Sequence, residues 1–117
     1  MNDPRLLRER NIWMATVRPD GRPHLVPIWF VWLNGRFYLC TGKASVKGRN
    51  LQANPTIALA LEDGSKALIA EGAVTLLDPP FAPDIAAAFQ AKYEWDMRHS
   101  DQYNMVVEVI PQRWLQW

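Results

Sequence analysis

The chain has 117 residues, 49% hydrophobic and 21% charged, with a net charge of +1. That is enough for one domain, residues 1–117, around one core, and the charge balance excludes a molecule built throughout to bind polyanions. The single cysteine, Cys40, excludes an internal disulfide. It lies in an apolar run and reads as a buried, inert thiol. No Cys/His spacing matches a zinc site, so no metal is expected. The opening MNDPRLLRER is charged, unlike a signal peptide, and no apolar run reaches the length of a membrane span. The expectation is a cytoplasmic protein with no membrane partner. Six tryptophans are many for this length, and such aromatic surface is often covered by a partner or a cofactor.

Taken in chain order, residues 3–10 predict one or two helical turns, with Asp3 as N-cap and Pro4 at the first helical position. IWMATVR (12–18) reads as a strand, PDGR (19–22) as a turn, and PHLVPIWFVWL (23–33) as the next strand. Pro27 inside that run predicts an edge or a bulge. Asn34-Gly35 is a two-residue hairpin signal leading into RFYLCT (36–41). KGRNLQAN (47–54) predicts a short helix stopped by Pro55. TIALALE (56–62) and KALIAEGAVTLL (66–77) are strands. After DPPFAP, Asp84 is placed to cap a helix over DIAAAFQAKYEW. MVVEVIP (105–111) is the last clear strand. The sum is mainly β: six antiparallel strands with one substantial helix inserted late, a pattern that favours a small barrel closed on itself.

The run TGKASVKGRNLQANP (41–55) places Lys43, Lys47 and Arg49 close together with no acid among them, beside Thr41 and Ser45. A loop and helix start of this composition suits an anion, through free N–H groups and the helix dipole. A solvated basic loop is the alternative. His24 and His99 have no obvious partner in sequence and read as surface or structural residues. WDMRHSDQYN (95–104) reads as a helix end and loop, or as a lid over a substrate. A nucleic-acid role is disfavoured by the net charge and the lack of a basic stripe.

ATVRPDGRPHLVPIWF, the hairpin into FYLCTGKASVKGRNLQANP, ALIAEGAV and VVEVIPQRWLQW, in that order and spacing, resemble the pyridoxamine 5'-phosphate oxidase-like split-barrel family over about residues 10–117. The resemblance implies a six-stranded split β-barrel, a homodimer, and a flavin-type cofactor at the dimer interface. It implies that Thr41, Lys43, Ser45, Lys47 and Arg49 lie on or beside the cofactor-phosphate loop. Val26, Pro27, Ile28 and Trp29 would line the isoalloxazine edge. Trp117, six residues after Pro111, would approach the cofactor from the partner subunit. Departures narrow the function. The Arg-x-His that follows the C-terminal Trp in the vitamin B6 oxidases is expected to be missing, Phe30 stands where those enzymes carry a Lys, and Val46 where a second cation is common. Lys47-Gly48-Arg49-Asn50-Leu51 is closer to the deazaflavin branch. The expected function is hydride transfer between FMN, or coenzyme F420, and a small organic substrate. The alternative is a non-catalytic flavin- or haem-binding module of the stress type.

Overall fold

The computed structural model describes residues 1–117. Its elements are α1 (Arg5–Arg8), β1 (Asn11–Val17), β2 (Pro23–Trp29), β3 (Val31–Leu33), β4 (Arg36–Thr41), α2 (Val46–Ala53), β5 (Thr56–Ala60), β6 (Leu68–Leu77), α3 (Pro83–Tyr93), a 3-10 turn (Met97–His99) and β7 (Met105–Gln116). The seven strands form one antiparallel sheet in the order β2-β1-β5-β6-β7-β4-β3. No helix is long and apolar enough to cross a membrane.

The expected count of six strands is corrected to seven, because the run 23–33 is two strands broken at Phe30. The break has a cause. The Phe30 N–H donates to the Tyr93 hydroxyl (2.9 Å), and the Phe30 carbonyl accepts from Lys92 Nζ (2.8 Å). The single Tyr93 hydroxyl proton is shared between the carbonyls of Arg10 (2.7 Å) and Phe30 (2.9 Å). Side chains of α3 thus take the backbone groups that a continuous strand would give to its ladder. The consequence is architectural. β2 and β3 are the two edges of the sheet, yet one residue joins them. The sheet must therefore curl until its edges approach, which gives the half-barrel.

Local chemistry fits this path. Pro27 lies on edge strand β2, opposite Trp13, where it removes no interior hydrogen bond. Asn34 and Gly35 both have positive φ (54° and 75°), as a two-residue hairpin with a primed turn requires. Asp3 accepts from the Arg5 N–H (3.0 Å), although Pro4 holds the cap position of α1. The late helix begins one residue before Asp84, at Pro83, with Ala82 as N-cap. Asp84 is not the cap. It sits in the first turn, where its charge meets the positive end of the helix dipole.

The core has two parts. One fills the half-barrel with Ile12, Met14, Phe30, Phe37, Leu39, Leu51 and Leu59 among others. The other lies under α3 and joins Val31, Tyr38, Cys40 and Val106 to Ile85, Phe89, Tyr93 and Met97. β4 serves both: Phe37 and Leu39 face one, Tyr38 and Cys40 the other, by the two-residue period of a strand.

Candidate functional site

The loop after β4 turns sharply into α2. Ser45 is the N-cap: its Oγ accepts from the Gly48 N–H (3.0 Å) and donates to the Gly42 carbonyl (2.7 Å). Thr41 Oγ1 lies 3.0 Å from Ser45 Oγ. Gly48 permits the turn, since a Cβ there would come within 2.1 Å of the Gly42 carbonyl oxygen. Both hydroxyls are therefore engaged in building the corner.

The predicted cations divide. Lys43 donates its backbone N–H to Asn104 (2.9 Å) and pairs through its ammonium with Asp78 (2.6 Å). Arg49 is exposed on α2 and lines neither cavity described below. Lys47 is half-buried and lines both.

The first cavity is about 440 Å³ and is lined by Asn11, Pro27, Ile28, Trp29, Cys40, Lys47, Phe89, Trp95 and Tyr103. It contains no carboxylate and one cation. Three of the four strand residues expected at a ring edge are in its wall; the fourth, Val26, packs against the half-barrel core instead. The Trp29 ring stacks on Tyr93 (4.3 Å, 6°), and Trp95 meets Trp29 edge-on at 6.2 Å. Tyr103 continues the wall, edge-on to Trp95 at 5.5 Å. Burial pushes the Cys40 thiol up to about 12, so it stays protonated and chemically inert at neutral pH.

The second cavity, about 470 Å³, is polar. The loop residues 42–45 and Lys47 line one side, and residues 101–104 the other. Lys47 and Tyr103 are common to both cavities, so the two adjoin. The segment 95–104 is docked on the loop by two contacts: Asn104 on the Lys43 N–H, and a close approach of the Gln102 carbonyl to Gly42, where a Cβ would lie at 2.6 Å. Trp117 is not part of this assembly in its own chain. It is 70% exposed, and its indole N–H donates to the Gly64 carbonyl (3.2 Å).

Phe89 is a wall residue that the sequence did not mark; Trp95 and Tyr103 lie in the segment 95–104, read either as a helix end and loop or as a lid over a substrate. Their one signal was the aromatic flanking of 95–104, which fits a helix end equally well. No group of three or more His, Cys, Asp or Glu side chains is placed to hold a metal ion.

A curled antiparallel half-barrel, with an aromatic cavity beside a cationic loop–helix corner, is a split-barrel fold. The family model described as pyridoxamine 5'-phosphate oxidase matches residues 3–117, and the chain belongs to that family. No curated protein sequence matches it. Among solved structures, an F420 reductase is 24% identical with a TM-score of 0.78, over 98% of this chain and 97% of that one. HutZ, the heme storage protein from Vibrio cholerae, is 20% identical with a TM-score of 0.81, over 95% and 89% of the two chains. A pyridoxamine 5'-phosphate oxidase-related, FMN binding protein from Nostoc punctiforme is 18% identical with a TM-score of 0.67, over 87% and 70%. At such identities the likeness shows a shared fold.

Proposed function

We propose that the chain binds FMN or the deazaflavin coenzyme F420 and acts as an oxidoreductase on a small organic substrate. The observation that carries this reading is the place of Lys47. It stands where an apolar cavity walled by aromatic rings meets a polar one backed by the start of a helix. A flat ring joined to a phosphate has this polarity. The first cavity falls within the usual range for small-molecule sites, roughly 300–1,000 Å³. When bound, such a cofactor supplies the hydride chemistry, and the protein supplies position and electrostatics. Pro27, Ile28 and Trp29 offer strand backbone and ring surface to one edge. Phe89 and Trp95 exclude water. Lys47 holds the anionic end.

Haem is less well served by these residues. No histidine lines either cavity, and the one thiol in the wall is held in the protonated form that ligates iron poorly.

We also infer a homodimer. The outward faces of β1 and β2 carry Trp13, Ala15 and Val17 opposite Pro27, Leu25 and Pro23, with Trp29 beside them opposite Asn11, which makes a largely apolar surface. Leu25 is 61% exposed on it. Such a continuous patch marks an interface, two-fold pairs are the commonest assembly, and Pro27 and Trp29 of this face also line the cavity. Trp117 would then meet the partner's site. Sedimentation at micromolar concentration is expected to give a dimer, and Leu25→Arg a monomer.

The function is tested by loading the protein with each reduced cofactor and following oxidation against quinones, enones and pyridoxamine phosphate. Turnover with an enone or a quinone is expected. Fast turnover of the B6 vitamer alone contradicts the reading. Tight cofactor binding without any turnover favours a binding module.

A further inference from the structure

We propose that the cleft between α1, β3 and α3 binds a small apolar monocarboxylate, with Lys92 holding its anionic end. The cleft is about 290 Å³ and is lined by Leu6 and Leu7 of α1, Val31 and Trp32 of β3, and one face of α3. It shares no lining residue with the two cavities that meet at Lys47. The helix opens this space by what it lacks. Ala88, Ala91 and Lys92 stand at helical spacing on one face, and two of the three carry only a methyl group. Phe89 and Tyr93, on the core side of the same helix, are buried. Leu7 is 67% exposed, so apolar surface is left uncovered at the cleft.

Lys92 is the one polar residue in this lining. Its ammonium donates to the Phe30 carbonyl (2.8 Å) and lies 3.8 Å from the centre of the Phe30 ring. Both partners are neutral. Lys92 forms no ion pair, and Arg10, a second cation, donates to its backbone carbonyl (3.1 Å). A charge drawn out of water is ordinarily paired with an opposite one. Here burial first, and then Arg10, weaken the amine's hold on its proton, against a smaller opposing pull from Glu9.

A carboxylate answers each of these features. An ammonium has three N–H donors, and the Phe30 carbonyl takes one. A carboxylate accepts from the others and supplies the missing charge, in the stronger, charge-assisted kind of bond. One amine matches one anionic group, which favours a monocarboxylate over a diacid. The apolar tail covers Leu7 and the two alanines. The volume lies at the lower edge of the usual range for small-molecule sites, roughly 300–1,000 Å³, and so limits the tail to a short or medium chain. An alcohol of the same length would fill the cleft without meeting the charge. This site stands or falls independently of the cofactor.

The test uses octanoate, with octanol and acetate as comparisons, titrated into the full-length protein while its methyl groups are followed by NMR. Octanoate is expected to shift Leu7, Ala88 and Ala91 saturably. Octanol should bind at least about tenfold more weakly, or about 1.4 kcal/mol, and acetate should leave these methyls unmoved. Lys92→Met should bring octanoate down to the affinity of octanol and leave octanol unchanged, which a purely structural role for the lysine would not do. Ala91→Phe, at an exposed position of α3, fills the cleft without removing the amine and should abolish binding of both. That arm decides the matter even where Lys92→Met does not fold. No saturable shift, equal affinities for octanoate and octanol, full octanoate affinity in Lys92→Met, binding that survives Ala91→Phe, or shifts confined to the aromatic cavity would each overturn the proposal.

Discussion

The two walls that meet at Lys47 are built from different materials. The corner from Thr41 through α2 is made of backbone and short polar side chains, and nearly all of it is spent on its own geometry: Ser45 caps, Thr41 braces Ser45, Gly48 lets the turn close, and Lys43 is tied to Asp78 and Asn104. The facing wall, Trp29 with Phe89, Trp95 and Tyr103, is made of large rings from three separated stretches of chain. The corner is closed mostly by contacts within a dozen residues of sequence, with Asp78, Gln102 and Asn104 brought to it by the fold. The ring wall is a tertiary product and depends on how α3 and the segment after it pack. Damage to the corner should change binding with modest loss of stability. Damage to the ring wall should cost stability first.

The largest expected effect falls on the ring wall. Phe89 is fully buried, in the core under α3 and in the cavity wall at once. Phe89→Ala should lower stability by about 3–5 kcal/mol in urea unfolding, the usual cost for such a truncation. A loss under about 1 kcal/mol would mean that α3 is not anchored by this ring.

At the corner, Lys47→Ala should weaken cofactor binding by about 1.5–3 kcal/mol in a fluorescence titration, the range for a charge-assisted hydrogen bond. Arg49→Ala, which removes an exposed cation outside both cavities, should have a clearly smaller effect. Equal losses would place Arg49 on the ligand as well.

Gly48→Ala sharpens the contrast. Its new Cβ meets a backbone carbonyl rather than a flexible side chain. A cost of roughly 1–3 kcal/mol is expected from overpacking, together with loss of binding. Thermal melts and titration of the same sample will show whether both occur.

The smallest effect is a pH dependence at the hinge of the sheet. Burial first, and then the charge of Arg10, lowers the Lys92 amine to about 8. The unfolded chain has the ordinary, higher pKa, so between the two values it binds more protons than the folded protein. Stability from this group is therefore complete above the ordinary lysine pKa and lost as pH falls through about 8. Cys40 titrates in an overlapping range with the opposite sign, so the informative quantity is a difference. The unfolding free energy of the native protein relative to Lys92→Met should rise with pH above 8. A flat difference would mean that the amine titrates normally.

Much of this was legible beforehand because it is local. Asn34-Gly35 marked its hairpin, Pro27 marked an edge, and the cation-rich run marked the corner, since turn chemistry and charge are read from neighbours in sequence. The split at Phe30 was not legible. Nothing at Phe30 in PHLVPIWFVWL marks a break; Tyr93 and Lys92, more than sixty residues away, make it by taking the Phe30 backbone groups. The engagement of Lys43 was hidden for the same reason, because Asp78 and Asn104 reach it only through the fold. Phe89 and Tyr103 likewise become wall residues only when α3 and β7 are in place.

The central claim is that the paired cavities take a flat ring with a phosphate, held through Lys47. The most direct measurement compares the affinities of the native protein for FMN and for riboflavin, read by equilibrium fluorescence, with the deazaflavin coenzyme titrated in parallel. A phosphate-bearing cofactor bound saturably, with FMN at least about tenfold tighter than riboflavin if FMN is that cofactor, is the predicted result; tenfold corresponds to about 1.4 kcal/mol. Equal affinities for FMN and riboflavin with no binding of the deazaflavin, or binding of neither cofactor by a protein that instead takes up haem, would contradict it.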